Sequence, residues 1–308
     1  LPSYYDILGY HYKNAYQLGM DAAAERTLHY LRKAGEAAQK NFANVAALDY
    51  YEQLLPLLQD AYEQAQVHLQ RGAVLELLGN WADAENDYRA VLTLMRAGVA
   101  MHVSAQLALG KLCRLRGDFA LALEWLTQAR VSWAALQDSA GLSQALIEAG
   151  IVFWRKGDFP DARRHLEEGL TLARGLHDQH GVALALNSLG MVAHAQDDYA
   201  AAQALHEESL ALQRELGDKL GVSWSLNHLG NVACVQGDYK VAQALFEESL
   251  TLFRELGDKF GIADALENLG KTMRFRGDWA EARRLYEECL VLNREMCDNR
   301  PPLGRYTT

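Results

Sequence analysis

Several groups of residues in this chain have the types needed for chemistry, and each fails on spacing or context. Gly270-Lys271-Thr272 ends like a phosphate loop, in which backbone amides and a lysine hold a nucleotide's phosphates. The opening glycine of such a loop would fall at Ala265. The stretch also reads as helix, whose amides are already bonded and cannot cradle phosphate. Glutamates recur in pairs at Glu167-Glu168, Glu207-Glu208, Glu247-Glu248 and Glu287-Glu288, the residue type of general acid–base catalysis. Adjacent residues on a helix diverge by about 100°, and the pairs return at a fixed interval, so they read as a solvated face. His177 and His180 flank a loop, yet nothing nearby supplies the further ligands a metal needs. The cysteines Cys113, Cys234, Cys289 and Cys297 show no metal spacing, and all but Cys297 fall within expected helices. They read as reduced thiols of a cytoplasmic protein. Serine, histidine and aspartate are plentiful, but neither a nucleophile elbow nor a zincin pattern is present. The expectation is a protein that is not an enzyme and uses neither metal nor cofactor.

Composition excludes two further classes. A net charge of −10 opposes nonspecific nucleic-acid binding, which needs clustered positive charge. No apolar run approaches the ~18 residues of a membrane span, so no membrane role is expected. The chain opens Leu1-Pro2-Ser3 with neither a signal peptide nor an initiating methionine. It is therefore expected to be a piece of a longer protein.

What positions the candidate residues is a repeat. Residues 181–220 and 221–260 match at about 26 of roughly 40 aligned positions. Gly72, Gly110, Gly150, Gly190, Gly230 and Gly270 carry the same frame along the chain. After each comes a tight turn and then an aromatic residue three before an alanine, from Trp81/Ala84 to Trp279/Ala282. Fixed-period self-similarity means units that bury their apolar faces only against neighbours. Each unit reads as two helices. Val222, Leu226, Leu229, Val232, Ala233 and Val235 recur at three and four, and Tyr239, Ala242, Leu245, Phe246, Leu250, Leu252 and Leu256 mark the second helix. Gly237-Asp238 and Gly257-Asp258 supply a left-handed turn and a capping carboxylate between them. Gly230 and Ala242 are small because bulk where two helices cross closely would overpack the pair.

First helices are expected near 61–78, 100–115, 140–156, 180–195, 220–236 and 260–276. Second helices are expected near 81–97, 119–136, 159–176, 199–216, 239–256 and 279–296. Residues 1–60 form a divergent N-terminal region, with an aromatic helix over 4–17, a long helix to Lys40, Asn44 capping the next and Pro56 near its end. Residues 61–298 hold six units, and 299–308 form a loose tail. No polar solvating helix follows the last unit, so either this piece stops early or its end face is expected to meet another chain.

The L-x-x-L-G of the first helix and the aromatic-x-x-Ala of the second, repeated in register, resemble the tetratricopeptide-repeat (TPR) family. That resemblance implies an all-α fold, a right-handed TPR solenoid of helix-turn-helix repeats. The units depart from the usual period of about 34; Arg254 stands where a proline normally ends the second helix, which runs on through Leu256. Units of this length ending RELGDKxG resemble the C-terminal sensor arms of bacterial signal-transduction NTPases with numerous domains (STAND, NLR-like). They are similar also to motor-cargo and spindle-orientation adaptors. The segment TLHYLRKAGEAAQKNFANVAALDYYEQLLPLL resembles the junction between an ATPase and winged-helix core and such an arm, which favours the first.

The resemblance also implies a ligand groove lined by the first helices, at residues six and three before the repeat glycine and one, four and five after it. In the fourth unit from the N-terminus these are Gln144, Ile147, Ile151, Trp154 and Arg155, with Lys111 and Arg114 preceding them. The next units contribute Leu184, Asn187, Met191 and His194, then Trp224, Asn227, Asn231 and Cys234, then Asp264, Glu267, Lys271, Arg274 and Phe275. These positions differ between units whose buried frames nearly coincide, as a specific recognition surface requires. The asparagines could bond a peptide backbone, the aromatics anchor it, and the arginines pair with carboxylate or phosphate. The same aromatics could instead pack against the neighbouring unit, and the arginines pair with local glutamates. The function implied is a sensor arm binding an effector (protein, peptide or small molecule) to control an upstream ATPase. The alternative is a freestanding adaptor holding a partner helix or peptide.

Overall fold

A computed structural model describes residues 24–298 together with residues 5, 7 and 8, with side chains covered through Met296. The aromatic helix expected over 4–17 lies almost wholly outside the described residues, as do the tail and the Cys297 side chain. Every regular element among the described residues is helical. They fall into two compact units, one up to Ala105 and one from Gln106, the division lying inside a helix.

The first unit contains α1 (Ala24–Lys40), α2 (Asn44–Leu54), α3 (Ala61–Leu77), α4 (Trp81–Leu94) and the start of α5 (Ala100–Leu115). Leu31, Tyr51, Leu54, Val67 and Val74 form its core. Asn44 does not cap α2: Phe42 turns the chain with a positive φ of 57°, so Ala43 takes the flanking position and Asn44 is already helical and buried. Pro56 sits in the short 3₁₀ turn that follows α2. Helix α4 stops at Leu94, short of the expected 97, because Met95 is extended and Gly98 turns with φ of +84°.

The second unit continues with α6 (Phe119–Ala135), α7 (Ser139–Arg155), α8 (Phe159–Gly175), α9 (Gln179–Ala195) and α10 (Tyr199–Leu216). It ends with α11 (Lys219–Val235), α12 (Tyr239–Leu256), α13 (Lys259–Arg276) and α14 (Trp279–Asp298). Each boundary has a local cause. Gly257 adopts the left-handed conformation, and the Asp258 carboxylate accepts from the Gly261 amide at 3.0 Å, satisfying one of the orphan donors of α13. Asp238 departs from this pattern: its side chain makes no capping bond, and only its carbonyl accepts the first helical bond, from Ala242.

Close packing explains the repeat glycine. A Cβ on Gly230 would lie 2.5 Å from Cε1 of Phe246, a fully buried ring. Val235 departs from the expected core and is half exposed, while Phe253 is fully buried beside Gly261.

Within this unit successive first helices α7, α9, α11 and α13 approach one another more closely than successive second helices do. The stack therefore curves with the first helices on its inner side. The wider outer side is laced by long side chains: Arg174 to Glu208 (3.8 Å), Arg214 to Glu248 (3.3 Å) and Arg254 to Glu288 (2.5 Å). The second glutamate of each of these pairs thus joins neighbouring units, in solvent, where such contacts are worth at most about 1 kcal/mol.

Leu170, Leu210 and Leu250 are buried by the following unit, whereas their counterpart Leu290 on α14 is 49% exposed. Leu250→Ala is accordingly expected to cost about 2–3 kcal/mol in urea unfolding, and Leu290→Ala less than about 0.5 kcal/mol. Equal losses would mean that Leu290 is covered in solution.

Candidate binding groove

The inner face of the second unit is built from the ends of α5, α7, α9, α11 and α13, and its residues sort into three groups. The first is packed away. Ile147 and Ile151 are buried in the core, Ile147 against Gly169 of the paired helix. Asn187 and Asn227 are also buried: Asn187 Oδ1 accepts from His206 Nδ1 at 2.7 Å, and Asn227 Nδ2 donates to Asp264 Oδ2 at 2.6 Å. Neither amide is open to a ligand backbone, contrary to the expectation for them. Of the residues three before a repeat glycine in this unit, Ile147, Asn187 and Asn227 are buried, while Leu107 and Glu267 are not.

The second group braces neighbouring units. Trp154 donates from Nε1 to the Met191 carbonyl at 3.1 Å, tying α7 to α9. Trp224 stacks on His228 and packs edge-on against Phe253 and tilted against Phe260. Arg114 Nε bonds Glu148 Oε2 at 3.0 Å, both side chains mostly buried. Cys234 Sγ lies 3.1 Å from Thr272 Oγ1, and burial raises its thiol pKa. Thr272 itself is buried within α13 and donates to the Asn268 carbonyl, so the Gly270-Lys271-Thr272 stretch holds no phosphate loop. Among the described residues no group of three or more potential ligands could hold a metal ion.

The third group remains accessible. Arg155 is exposed and stacks over Trp154 with its guanidinium carbon 4.9 Å from the ring centroid. Its pKa is nevertheless lowered, first by desolvation, then by Arg114, with Asp264 acting the other way. Met191, His194, Asn231 and Lys111 are part-exposed; Lys271 is exposed and paired with Glu267 at 2.7 Å. Arg274 lies over Phe275, which stacks on Tyr239 at the far end.

The same helices carry further polar groups that the repeat pattern only partly disclosed. His228, two residues before its repeat glycine, stacks on His206 at 5.1 Å and on Trp224. Burial, then the charge of Arg155, pushes its pKa down to about 3, so it is neutral at physiological pH. His194 is also lowered by burial, only partly offset by the Asn231 backbone and Asp197, and its Nε2 is buried without a hydrogen-bond partner. Asp264 is pushed up by burial, against the pull of Asn227 and Arg155. The signal for Glu148, His228 and Asn268 was a bulky polar residue two before the repeat glycine, where Gly110 has Ala108.

Tetratricopeptide-repeat profiles match residues 101–175, 141–215, 181–233 and 221–295, and a second such profile matches 62–137. The chain belongs to the tetratricopeptide-repeat family. No curated protein matches it. Solved structures of the same fold include a Rap protein complexed with Competence and Sporulation Factor, 15% identical over 91% of this chain and 81% of that one, TM-score 0.73. A Rap conjugation gene regulator of the plasmid pLS20, in complex with a Phr peptide, is 13% identical over 91% and 77%, TM-score 0.73. Aspartyl phosphate phosphatase F from Bacillus subtilis is 11% identical over 93% and 75%, TM-score 0.67. At these identities the likeness is one of fold.

Proposed function

We propose that this TPR array is a non-catalytic binding module that takes a peptide, or an extended segment of a partner protein, along α7, α9, α11 and α13. The observation that carries the reading is Arg155, exposed on the inner face and stacked over Trp154, with no ion pair or hydrogen bond among the described residues. Structural ion pairs satisfy themselves, as Arg114 and Glu148 do; a charge left unmet on the inner face suits a ligand. Part-exposed Met191 and exposed Leu184 supply apolar contact beside it. Two solved neighbours are complexes with a factor or a peptide, which supports a ligand of that class.

The finer reading, an arm whose occupancy controls an attached STAND-type ATPase, rests on the RELGDKxG endings and the divergent segment 27–58 alone. It requires the effector to bind one state of the arm more tightly than the other. A freestanding adaptor would use the same groove without that coupling.

Selection of displayed random dodecapeptides on the whole chain, followed by calorimetry of the enriched sequences, tests the groove. Asn231→Arg, which fills it, is expected to abolish binding, while Glu207→Arg on the outer face leaves binding unchanged. The reverse pattern would move the site to the outer face.

A further inference from the structure

The last repeat exposes a surface that the three repeats before it bury, and those repeats show what fits there. Leu170 shares a core with Val182, Leu186 and Leu189 of the next first helix, and Leu210 with Val222, Leu226 and Leu229. Their counterpart Leu290 meets no such stripe among the described residues. Tyr286 is part-exposed, although its counterparts Leu166, His206 and Phe246 are buried. Trp279 is 67% exposed, whereas its counterpart Tyr239 carries the ring of Phe275 stacked on it at 5.5 Å. A cleft of about 390 Å³ is left between Arg274 of α13 and Trp279, Arg283, Tyr286 and Leu290 of α14.

A polar contact is missing at the same place. Arg163 holds Glu167 on its own helix at 3.8 Å and also donates to Gln196 of the next first helix at 2.9 Å. The following repeats keep that junction: Gln236 donates to Gln203 at 3.4 Å, and Arg276 donates to Gln243. Arg283 holds Glu287 at 2.8 Å and bonds nothing else among the described residues. An uncovered leucine, an unstacked indole and an arginine short of its second partner thus line one cleft, and each matches a contact that a first helix supplies elsewhere in the chain.

The occupant is constrained further. In the helices that fill this position the apolar stripe falls at i, i+4 and i+7. In α13 the stacking ring and the side chain that reaches the preceding repeat follow at i+13 and i+14 (Ile262, Leu266, Leu269, Phe275, Arg276). A second copy of the chain has no such helix to offer, because the stripes of α9, α11 and α13 are already packed inside the array. Residues 299–308 do not carry it either, Leu303 and Tyr306 being their only apolar side chains besides two prolines.

We propose that the end face of α13 and α14 docks an amphipathic helix of a partner protein, built on the array's own first-helix pattern. It lays an apolar stripe against Tyr286 and Leu290, a ring on Trp279 and, next to that ring, a Gln or Glu that accepts from Arg283. The apolar stripe and the ring supply most of the affinity, and the acceptor selects among helices. The site is separate from the inner-face groove and does not rest on its reading as a peptide site.

The probe is a synthetic helix of residues 259–278 carrying Arg276→Gln. It is braced by a lactam between Glu267 and Lys271, which pair at 2.7 Å on the exposed side of α13, since a free helix of this length is marginal. Calorimetry is expected to show binding to the whole chain that weakens about tenfold or more with Leu290→Glu. Arg283→Glu is expected to reverse the choice of probe, taking the unsubstituted Arg276 helix in preference to the Gln one. Leu290 and Arg283 are exposed, so unchanged unfolding midpoints separate lost docking from lost fold. No binding to the wild type, or equal binding by Leu290→Glu, would overturn the proposal. Binding that appears only once residues 299–308 are deleted would make that segment the occupant, and wild-type self-association lost with Leu290→Glu would make it a second copy. Either result sinks the partner helix.

Discussion

Gly230→Ala is expected to destabilise the wild-type array and to stabilise the Phe246→Ala variant. The added methyl in the wild type would lie 2.5 Å from Cε1 of Phe246 and 2.8 Å from both Cδ1 and Cζ. Phe246 is fully buried and cannot swing away, so overpacking costs about 1–3 kcal/mol. That outweighs the roughly 1 kcal/mol that alanine gains over glycine inside a helix. Phe246→Ala alone opens a cavity between α11 and α12 and is expected to cost about 3–5 kcal/mol. In that cavity the Gly230 methyl meets open space, so the helix-propensity gain reappears and some contact is restored. The double variant should therefore be more stable than Phe246→Ala by about 1 kcal/mol. Urea unfolding combined with hydrogen exchange of the α11 and α12 amides reads this locally, which matters in an array whose units can open separately. Additive losses would show that the two helices do not meet at this glycine in solution.

The frame and the groove were unequally legible in the sequence, for a physical reason. Gly230 and Ala242 recur as types because every unit solves the same crossing, so period and residue type together specify α11 and α12 to within a residue or two. The groove has no such redundancy. Asn187 and Asn227 occupy equivalent positions, yet one accepts from His206 and the other donates to Asp264, since their partners come from different helices. Trp154 and Trp224 look like ligand anchors by type, but each is committed to a neighbouring unit, one through a carbonyl and one through rings. Arg155 and Arg114 have the same residue type and nearly the same place in their units. Only the presence of Glu148 beside Arg114 makes one paired and the other free. Spacing finds the face that varies; which of its residues remain open depends on contacts between units that no single repeat contains.

Those same contacts make the array acid-sensitive through groups that carry no charge at neutral pH. His206 donates Nδ1–H to Asn187 and is held well below its ordinary pKa, first by burial, then by His228 and His194. His228 is pushed down to about 3 by burial, then by Arg155 and His194. Both native pKa values lie below the unfolded value of about 6.5. Above 6.5 both states are neutral and the full stability is present. As pH falls below 6.5 the unfolded chain takes up protons that the folded one refuses, so stability declines until the folded pKa is reached. For His228 the window is about 6.5 down to about 3, at about 1.4 kcal/mol per pH unit, with His206 acting in the same direction. Asp264, raised by burial, acts oppositely, because its folded form binds a proton first and its contribution grows as pH falls towards its unfolded pKa. His228 alone sets a loss of about 2–3 kcal/mol between pH 7 and 4.5, to which His206 adds and which Asp264 opposes, so the wild type is expected to lose stability across this range. Replacing both by phenylalanine removes the titration and keeps the stacked rings; position 246, the counterpart of His206, already carries phenylalanine. In urea titrations across this range the double variant should show a much shallower fall. An undiminished slope would place the acid sensitivity elsewhere, in carboxylates such as Asp161, whose pKa Arg164 lowers.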